Sequence, residues 1–250
     1  MFRITRSVVA LLVLVLLLPL VASGQGRRRQ TQQTATVAYD SHFAFTRIRY
    51  GSGFGRGGGD AWAHDYPMAD RNFAAILDYI SHVRARLDGT NVFDLDDDAI
   101  FENPIIYVSE PGYWSIQPSE AENLGKHLLK GGFIIFDDFE GDGHWRNMTA
   151  QMAKALPDHH FIPITVEHPI FHSFFDIQTL DVPHPSVNVI PSYRAIFEDN
   201  DPSKRMIALA NWNNDLAEYW EWSAEGLYNP DPTNDAYRLG VNYIVYAMTH

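Results

Sequence analysis

The sequence contains no cysteine in its 250 residues. This absence excludes disulfide bonds, catalysis by a thiolate, and attachment of a lipid to a cysteine that follows a signal segment. It leaves the cellular compartment open, because an exported protein can forgo the disulfides that an oxidising compartment permits.

Basic residues are also scarce. The chain has 19 Lys and Arg against 31 Asp and Glu, a formal net charge of −12 at pH 7. We therefore expect no nucleic-acid partner, since a protein that binds phosphate backbones needs a basic surface. The local exception, "RRR" at 27–29, lies in a polar stretch with few large apolar side chains, and residues 25–40 are interpreted as a flexible arm.

A long hydrophobic run occurs at the N-terminus, from Val8 to Leu18. Arg3 and Arg6 precede it, and small residues at 21–24 offer cleavage sites, so residues 1–24 are predicted to be a secretory signal peptide. The alternative is an uncleaved membrane anchor, but the run is shorter than the roughly 20 residues that cross a bilayer. We expect an exported protein, periplasmic or extracellular, with no transmembrane span after cleavage.

Several enzyme signatures are missing as well. The chain has no G-x-S-x-G nucleophile elbow and no H-E-x-x-H zinc spacing. Its glycine-rich segment "GSGFGRGGG" (51–59) opens no predicted helix and lacks the Lys-Ser/Thr pair of a Walker A loop. We interpret this segment as a flap over the ligand-binding edge of the fold.

Strand and helix patterns alternate from residue 43 to residue 166. Strand-like runs occupy 42–51, 91–95, 103–110, 133–138 and 160–166, and helical patterns occupy 69–87, 117–132 and 144–157. Short strands near 187–190, 194–197 and 206–211 and a closing helix at 234–250 follow. The pattern predicts an α/β fold in one domain at 41–250, with an open, mostly parallel sheet and helices on both faces.

In such sheets, ligands bind outside the carboxyl ends of the strands. The stretch "GGFIIFDDFEGDGHW" (131–145) places Asp137 and Asp138 there, at the end of a strand that its continuous apolar run marks as central. Asp137, Asp138 and His168 are the candidate catalytic residues, because a carboxylate beside His168 or Arg47 could act as a general base. Adjacent strand residues point to opposite faces, so one of the two carboxylates faces a given pocket unless the chain turns.

Other strand ends reach the same edge and supply candidate ligand-binding residues. These are Arg47, Arg49 and Tyr50 after the first strand and Tyr113 and Trp114 in "SEPGYW". The segment "DAWAHDYP" (60–67) is also expected there. Such a mixture of carboxylates, His, Arg and aromatic side chains suits a small polar ligand or a metal-assisted reaction.

A divalent cation is a candidate cofactor. "DFEGDG" (138–143) partly matches a calcium loop, with Asp138, Glu140 and Asp142 as candidate ligands for Mg²⁺ or Ca²⁺. It departs from that pattern at the third position, where Glu140 is long, and at the twelfth, where the Glu is missing. His144 and His168 could add nitrogen for zinc or manganese. The alternative is that one Asp caps the following helix and the other is solvated.

The segment "NWNNDLAEYWEW" (211–222) is both aromatic and acidic. Trp212, Tyr219, Trp220 and Trp222 could stack on a sugar ring or contact a protein partner, or they could pin a surface loop. The first alternative supports a second functional hypothesis, a non-catalytic interaction module of a cell-envelope assembly that uses this segment and the arm. The leading hypothesis is a domain that binds a polar ligand, with metal-assisted hydrolysis as its candidate activity.

Several ordered segments resemble the domain-of-unknown-function 4159 family over about residues 43–249. They are "FAFTRIRY" with "GGGDAW…DYP", "NPIIYVSEPGYWSIQPSEAENLGKHLLKGGFIIFDD", "EHPIF" and "DAYRLGVNYIVYAMT". The resemblance implies a class I glutamine amidotransferase-like, flavodoxin-like α/β fold in an exported or membrane-attached bacterial protein, and it implies no particular activity. In amidotransferases of that fold a nucleophilic Cys follows the corresponding strand. Asp137 and Asp138 take its place, which excludes thiol-dependent amidotransferase activity.

Overall fold

A seven-stranded sheet lies at the centre of the computed structural model, which describes residues 36–52 and 58–250. Its strands are β1 (Thr46–Ile48), β3 (Asn91–Phe93), β4 (Ile105–Ser109), β6 (Phe133–Phe139), β7 (Ile162–Pro163), β8 (Ser192–Phe197) and β9 (Met206–Trp212). Two further strands, β2 (Gly51–Ser52) and β5 (Trp114–Ser115), form a separate antiparallel pair.

The spatial order of the large sheet is β3-β1-β4-β6-β9-β8-β7. Strands β3, β1, β4, β6 and β9 run parallel to one another. Strand β8 is antiparallel to its two neighbours, β9 and β7. The predicted signal peptide (1–24), most of the predicted arm (25–40) and positions 53–57 of the predicted flap lie outside the described residues.

Five α-helices occur in the part of the chain that the structure describes: α1 (Met68–Ile80), α2 (Pro118–Leu129), α3 (Gly141–Ala155), α4 (Leu216–Glu221) and α5 (Pro230–Thr249). Residues of α1, α4 and α5 share one hydrophobic core, and residues of α2 and α3 share the core on the other face. The predicted mostly parallel sheet with helices on both faces is therefore confirmed. Within the described residues, no helix has the length and apolarity needed to cross a bilayer.

Strand β6 is central because its sequence is apolar on both faces. Phe133 and Ile135 pack in the core with α1, α4 and α5, whereas Ile134 and Phe136 pack in the core with α2 and α3. Every residue of β6 is buried. Its parallel pairing with β4 continues to the end of both strands, where Ser109 stands opposite Asp137.

The helix bounds differ from those predicted, and α5 begins at Pro230, four residues before the prediction. Helix α1 ends at Ile80 instead of Leu87, because the Ser81 hydroxyl donates to the carbonyl of Leu77 and accepts from the amide of Val83. Helix α3 begins at Gly141, three residues before the prediction, because β6 leads into it directly. The predicted strand at 187–190 does not form.

A buried ion pair connects β1 to α1 and to the loop before α1. Arg47 donates from Nη2 to Asp70 Oδ1 (2.6 Å) and from Nε to Asp70 Oδ2 (3.3 Å), and both side chains are fully buried. Its Nη1 donates to the carbonyls of Trp62 (2.9 Å) and His64 (2.7 Å). The pair therefore fixes the loop that carries His64 against the sheet.

Substitution of one partner should be costly, because it leaves the other charge buried and unpaired. We expect Asp70→Asn to lower the free energy of unfolding by roughly 3–5 kcal/mol. The matched control is Asp88→Asn at the Arg86–Asp88 pair, whose side chains are 23% and 64% exposed. Its expected cost is below about 1 kcal/mol. Denaturant unfolding measures both, and equal costs would contradict the role given to Arg47–Asp70.

Candidate functional site

Three segments of the chain bring acidic side chains together at the carboxyl edge of the sheet. His64 and Asp65 follow the short 3₁₀ helix Gly58–Ala63, Asp138 lies in β6, and Asp215 precedes α4. One potential ligand atom of each residue lies within 4.8 Å of those of the others. We call these four residues the acidic cluster. It combines three carboxylates with one imidazole, and its three carboxylate residues are buried.

The end of β6 turns so that its two adjacent carboxylates meet different partners. Asp138 has a φ of +61°, in the left-handed region that few non-glycine residues adopt. The pairing of β6 with β9 shifts register between Phe136 and Phe139, as at a β-bulge. Strained backbone of this kind often occurs at functional sites, because the surrounding structure must hold it in place.

Asp137 faces the interior, and donors surround it. Its carboxylate accepts hydrogen bonds from Tyr107 Oη (2.8 Å), Asn211 Nδ2 (3.0 Å) and the backbone amides of Leu216 (2.9 Å) and Ala217 (3.1 Å). Burial raises the pKa of Asp137, and these hydrogen bonds act in the opposite direction. The contacts hold the first turn of α4 in position. A catalytic role for Asp137 stays a prediction.

The Asp138 side chain points toward the other members of the acidic cluster. Its Oδ2 accepts hydrogen bonds from His64 Nδ1 (2.8 Å) and from the Ser109 hydroxyl (3.1 Å). Burial raises the pKa of Asp138 well above its usual range, and the negative charges of Asp65 and Glu110 add to the effect. The hydrogen bond to Asp138 and the negative charge of the nearby Asp65 raise the pKa of His64 to about 12. His64 is therefore an imidazolium at neutral pH when no cation is bound.

Asp65 is the least satisfied member of the cluster. Its side chain is fully buried, yet neither carboxylate oxygen has a hydrogen-bond donor among the described residues. His64 Nδ1 lies 3.3 Å from Asp65 Oδ1, but it directs its hydrogen bond to Asp138. Buried carboxylates are normally hydrogen-bonded, paired or bound to a metal. Asp65 is therefore paired with the charge of His64 but lacks the direct hydrogen-bond donors that a buried carboxylate normally has.

Asp215 completes the cluster from the start of α4. Its Oδ1 accepts a hydrogen bond from the amide of Glu218 (2.9 Å), so it caps the N-terminus of the helix. Burial raises the pKa of Asp215 well above its usual range, and the negative charges of Asp138 and Asp65 raise it further. Carboxylates that disfavour one another's ionisation form a place where a divalent cation would be strongly stabilised.

Glu110 lies beside the cluster at the end of β4. Its backbone is left-handed, with a φ of +47°, and Tyr50 Oη lies 2.7 Å from its carbonyl and 2.8 Å from that of Ser109. Burial raises the pKa of Glu110, the charge of His64 lowers it, and Asp65 raises it again. A carboxylate with a raised pKa is a stronger base than an ordinary carboxylate.

The residues that the sequence predicts as ligand-binding occupy different environments. The Arg47 guanidinium is fully buried with Asp70, as described above. Arg49 pairs with Asp94 through contacts of 2.8 and 2.7 Å on a half-exposed surface. Trp114 is 1% exposed and packs in the core. The contacts of Arg47 and Trp114 hold the structure around the cluster, and the ligand-binding roles of all five residues stay predictions.

Tyr113 and the remaining predicted metal ligands lie near the start of α3. The Tyr113 ring packs on His144, with ring centroids 4.8 Å apart. Glu140 stands immediately before the helix, with its carboxylate 4.0 Å from His144 Nδ1, and Asp142 is exposed in the first turn. Since α3 begins at Gly141, the segment 138–143 does not form a continuous loop. Of the three predicted metal ligands, Asp138 alone belongs to the acidic cluster.

His168 lies at the opposite end of the strands, on the side of their amino ends. Its ring packs on Phe197, which pairs with Met206 at the amino end of β9, and on Tyr246. Burial lowers the pKa of His168 to about 4. The structure therefore does not bring His168 to Asp138, and the imidazole beside Asp138 belongs to His64.

Sequence reasoning did not single out His64, Asp65 or Asp215. The first two lie in "DAWAHDYP", which is expected at this edge, but no spacing rule marks them within it. Asp215 lies in the aromatic-acidic segment, where the Asp215-x-x-Glu218 pattern at a helix start was the available signal. Trp220 of the same segment is 3% exposed and packs on Phe73, with ring centroids 4.5 Å apart, so it offers little surface to a ligand.

Comparison with known proteins gives one family match. The model of the family described as "Domain of unknown function (DUF4159)" matches residues 44–248, which is most of the chain. This match confirms the resemblance to that family. No curated protein matches the sequence.

The raised pKa values predict how the stability of the cation-free protein depends on pH. A group whose pKa is raised on folding contributes stability that is complete below its unfolded pKa and is lost as the pH rises through its folded pKa. Asp138 and Asp215 therefore contribute less as the pH rises above about 4, and His64 contributes less between its ordinary pKa of 6.5 and about 12.

We expect the melting temperature measured with a chelator present to fall as the pH rises from about 6 to about 9. His64→Gln has no proton to lose in this range, so its melting temperature should fall less steeply. A melting temperature that is level or rises over the same range in the wild-type protein would contradict the charge balance described for the acidic cluster.

Proposed function

We propose that this chain, which belongs to the DUF4159 family, binds a divalent cation in the acidic cluster and uses it to hydrolyse a polar ligand at the carboxyl edge of its sheet. The observation that carries the proposal is Asp65, a fully buried carboxylate with no hydrogen-bond donor among the described residues. A cation among Asp65, Asp138 and Asp215 would give the oxygens of Asp65 the direct partner that they lack.

The ligand set favours particular cations. Three carboxylates and one imidazole mix oxygen with nitrogen, as in many zinc and manganese sites, whereas Ca²⁺ prefers oxygen alone. We therefore propose Mn²⁺ or Zn²⁺ ahead of the Mg²⁺ or Ca²⁺ expected from the sequence. Cation binding at the His64 nitrogen that donates to Asp138 would displace a proton, so the affinity should rise with pH.

The surroundings of the cluster support hydrolysis. A bound divalent cation lowers the pKa of a coordinated water and polarises a carbonyl or phosphoryl oxygen. Glu110, whose pKa burial raises, stands beside the cluster and could take up the proton of the attacking water. Ser109 and Tyr50 fix this strand end through their hydrogen bonds to Asp138 Oδ2 and to the backbone carbonyls.

The likeness to class I glutamine amidotransferases is also a proposal. Its support is the left-handed turn at Asp138, directly at the end of the central strand. A sharp turn of this kind holds the nucleophile in enzymes with a strand–turn–helix elbow. In this chain, the turn presents a carboxylate to the acidic cluster.

Cation binding should stabilise the folded protein. At a free Mn²⁺ concentration of about 100 times Kd, the expected gain is about 2.7 kcal/mol, or roughly 5–10 °C in melting temperature for a domain of this size. Asp138→Asn and Asp215→Asn should lose most of this shift, while Asn at position 215 still caps the helix. Thermal unfolding with chelator and then with Mn²⁺ or Zn²⁺ measures the effect.

The matched control is Asp142→Asn, which removes an exposed carboxylate a few residues from Asp138. It should keep the full shift. Loss of the shift in this variant alone would point instead to the calcium-type loop at 138–143. No shift in the wild-type protein with any of Mn²⁺, Zn²⁺, Mg²⁺ and Ca²⁺ would overturn the proposal.

Export is proposed from the N-terminal sequence. The basic start, the apolar run Val8 to Leu18 and the small residues at 21–24 support a cleaved signal peptide. N-terminal sequencing of the protein recovered from cells should give a start near Gly24. A mature chain that still begins at Met1 would contradict cleavage.

A further inference from the structure

We propose that the site holds a second divalent cation, bound by Asp65, Glu218 and Glu221, with the Asp65 carboxylate bridging the two ions. This inference rests on the proposed function, because the first cation occupies the acidic cluster and shares Asp65. We call Asp65, Glu218 and Glu221 the second ligand group.

The geometry defines two overlapping ligand groups. One carboxylate oxygen each of Asp65, Glu218 and Glu221 lies within 4.8 Å of the others, as do the ligand atoms of the acidic cluster. Asp65 is the residue that these two groups have in common. A carboxylate has two oxygens and can therefore bind two ions at once, which is how carboxylates bridge the ions of two-metal sites.

The lack of hydrogen-bond donors at Asp65 also supports a second cation. Both of its oxygens are without a hydrogen-bond donor among the described residues, and its side chain is fully buried. A cation of the acidic cluster that is bound through one of these oxygens would leave the other unpaired in the interior. A second cation on the Glu218 side would satisfy both.

Helix α4 places two glutamates, Glu218 and Glu221, beside Asp65. Glu218 and Glu221 are three residues apart, so they lie on the same face of the helix. Tyr228 Oη donates to Glu218 Oε1 (2.6 Å), which orients that side chain and leaves its second oxygen for other contacts. Asn72 Nδ2 donates to the carbonyls of Trp220 (2.9 Å) and Glu221 (3.2 Å), which fixes the end of the helix.

The local charge also favours two ions. The two groups together hold five carboxylates, and the one basic side chain in them is His64. A single divalent cation balances two of these carboxylates, and a second balances two more. Two ions about 3.5–4 Å apart can hold a water or a substrate oxygen between them, which is the arrangement of many two-metal hydrolases.

Manganese titration of the full chain tests the inference. Equilibrium dialysis should give two Mn²⁺ per wild-type chain, and the low-temperature EPR spectrum should show the exchange coupling of two neighbouring ions. Glu218→Gln and Glu221→Gln should each reduce the stoichiometry to one and give the six-line spectrum of an isolated Mn²⁺. Glu225→Gln, which removes an exposed carboxylate just after α4, is the control and should keep two coupled ions.

The outcomes separate this inference from the proposed function. One Mn²⁺ per wild-type chain with an uncoupled spectrum would overturn the second site and leave the first in place. Binding of no Mn²⁺ or Zn²⁺ would overturn both. The wild-type stoichiometry and coupling decide the question even if a variant at the buried position Glu221 fails to fold.

Discussion

The four hydrogen bonds accepted by Asp137 are the constraint on which the site depends. They join the end of β6 to Tyr107 of β4, to Asn211 of β9 and to the first two amides of α4. The left-handed backbone of the neighbouring Asp138 directs its carboxylate to His64 instead. The same bonds set the position of α4, which carries Asp215, Glu218 and Glu221. One buried carboxylate thus positions the segment that carries these three acidic residues.

The acidic cluster brings the carboxyl groups of Asp65, Asp138 and Asp215 together in a buried position. Burial alone raises the pKa of Asp138 and Asp215, and each carboxylate makes ionisation of the others less favourable. A fold selected for stability alone would place hydrogen-bond donors or apolar groups around Asp65. The arrangement is therefore best explained by a ligand that carries positive charge, which offsets the desolvation of the carboxylates.

Buried polar contacts outside the acidic cluster hold the segments that carry its residues. Arg47, fully buried with Asp70, holds the carbonyls of Trp62 and His64 and so sets the loop that carries Asp65. The Tyr50 hydroxyl fixes the turn at Ser109 and Glu110. The sequence predicts Arg47 and Tyr50 as candidate ligand-binding residues because they lie at a strand end. Their contacts hold the loop before α1 and the end of β4, which lie around the acidic cluster.

The sequence by itself determined the layers of the fold and the edge where the site lies. The apolar run of β6 is long enough to be buried on both faces, and that property alone makes the strand central and puts Asp138 at its carboxyl end. The tertiary structure alone decided which residues meet Asp138. The sequence pointed to His168 and did not single out His64. However, β7 and the segment after it lead His168 to the amino end of β9, whereas the Arg47–Asp70 pair holds His64 at the carboxyl end. Contacts across 74 residues, as between His64 and Asp138, leave no periodicity in the chain, because they depend on how strands are ordered in the sheet and on which loops the core holds above it.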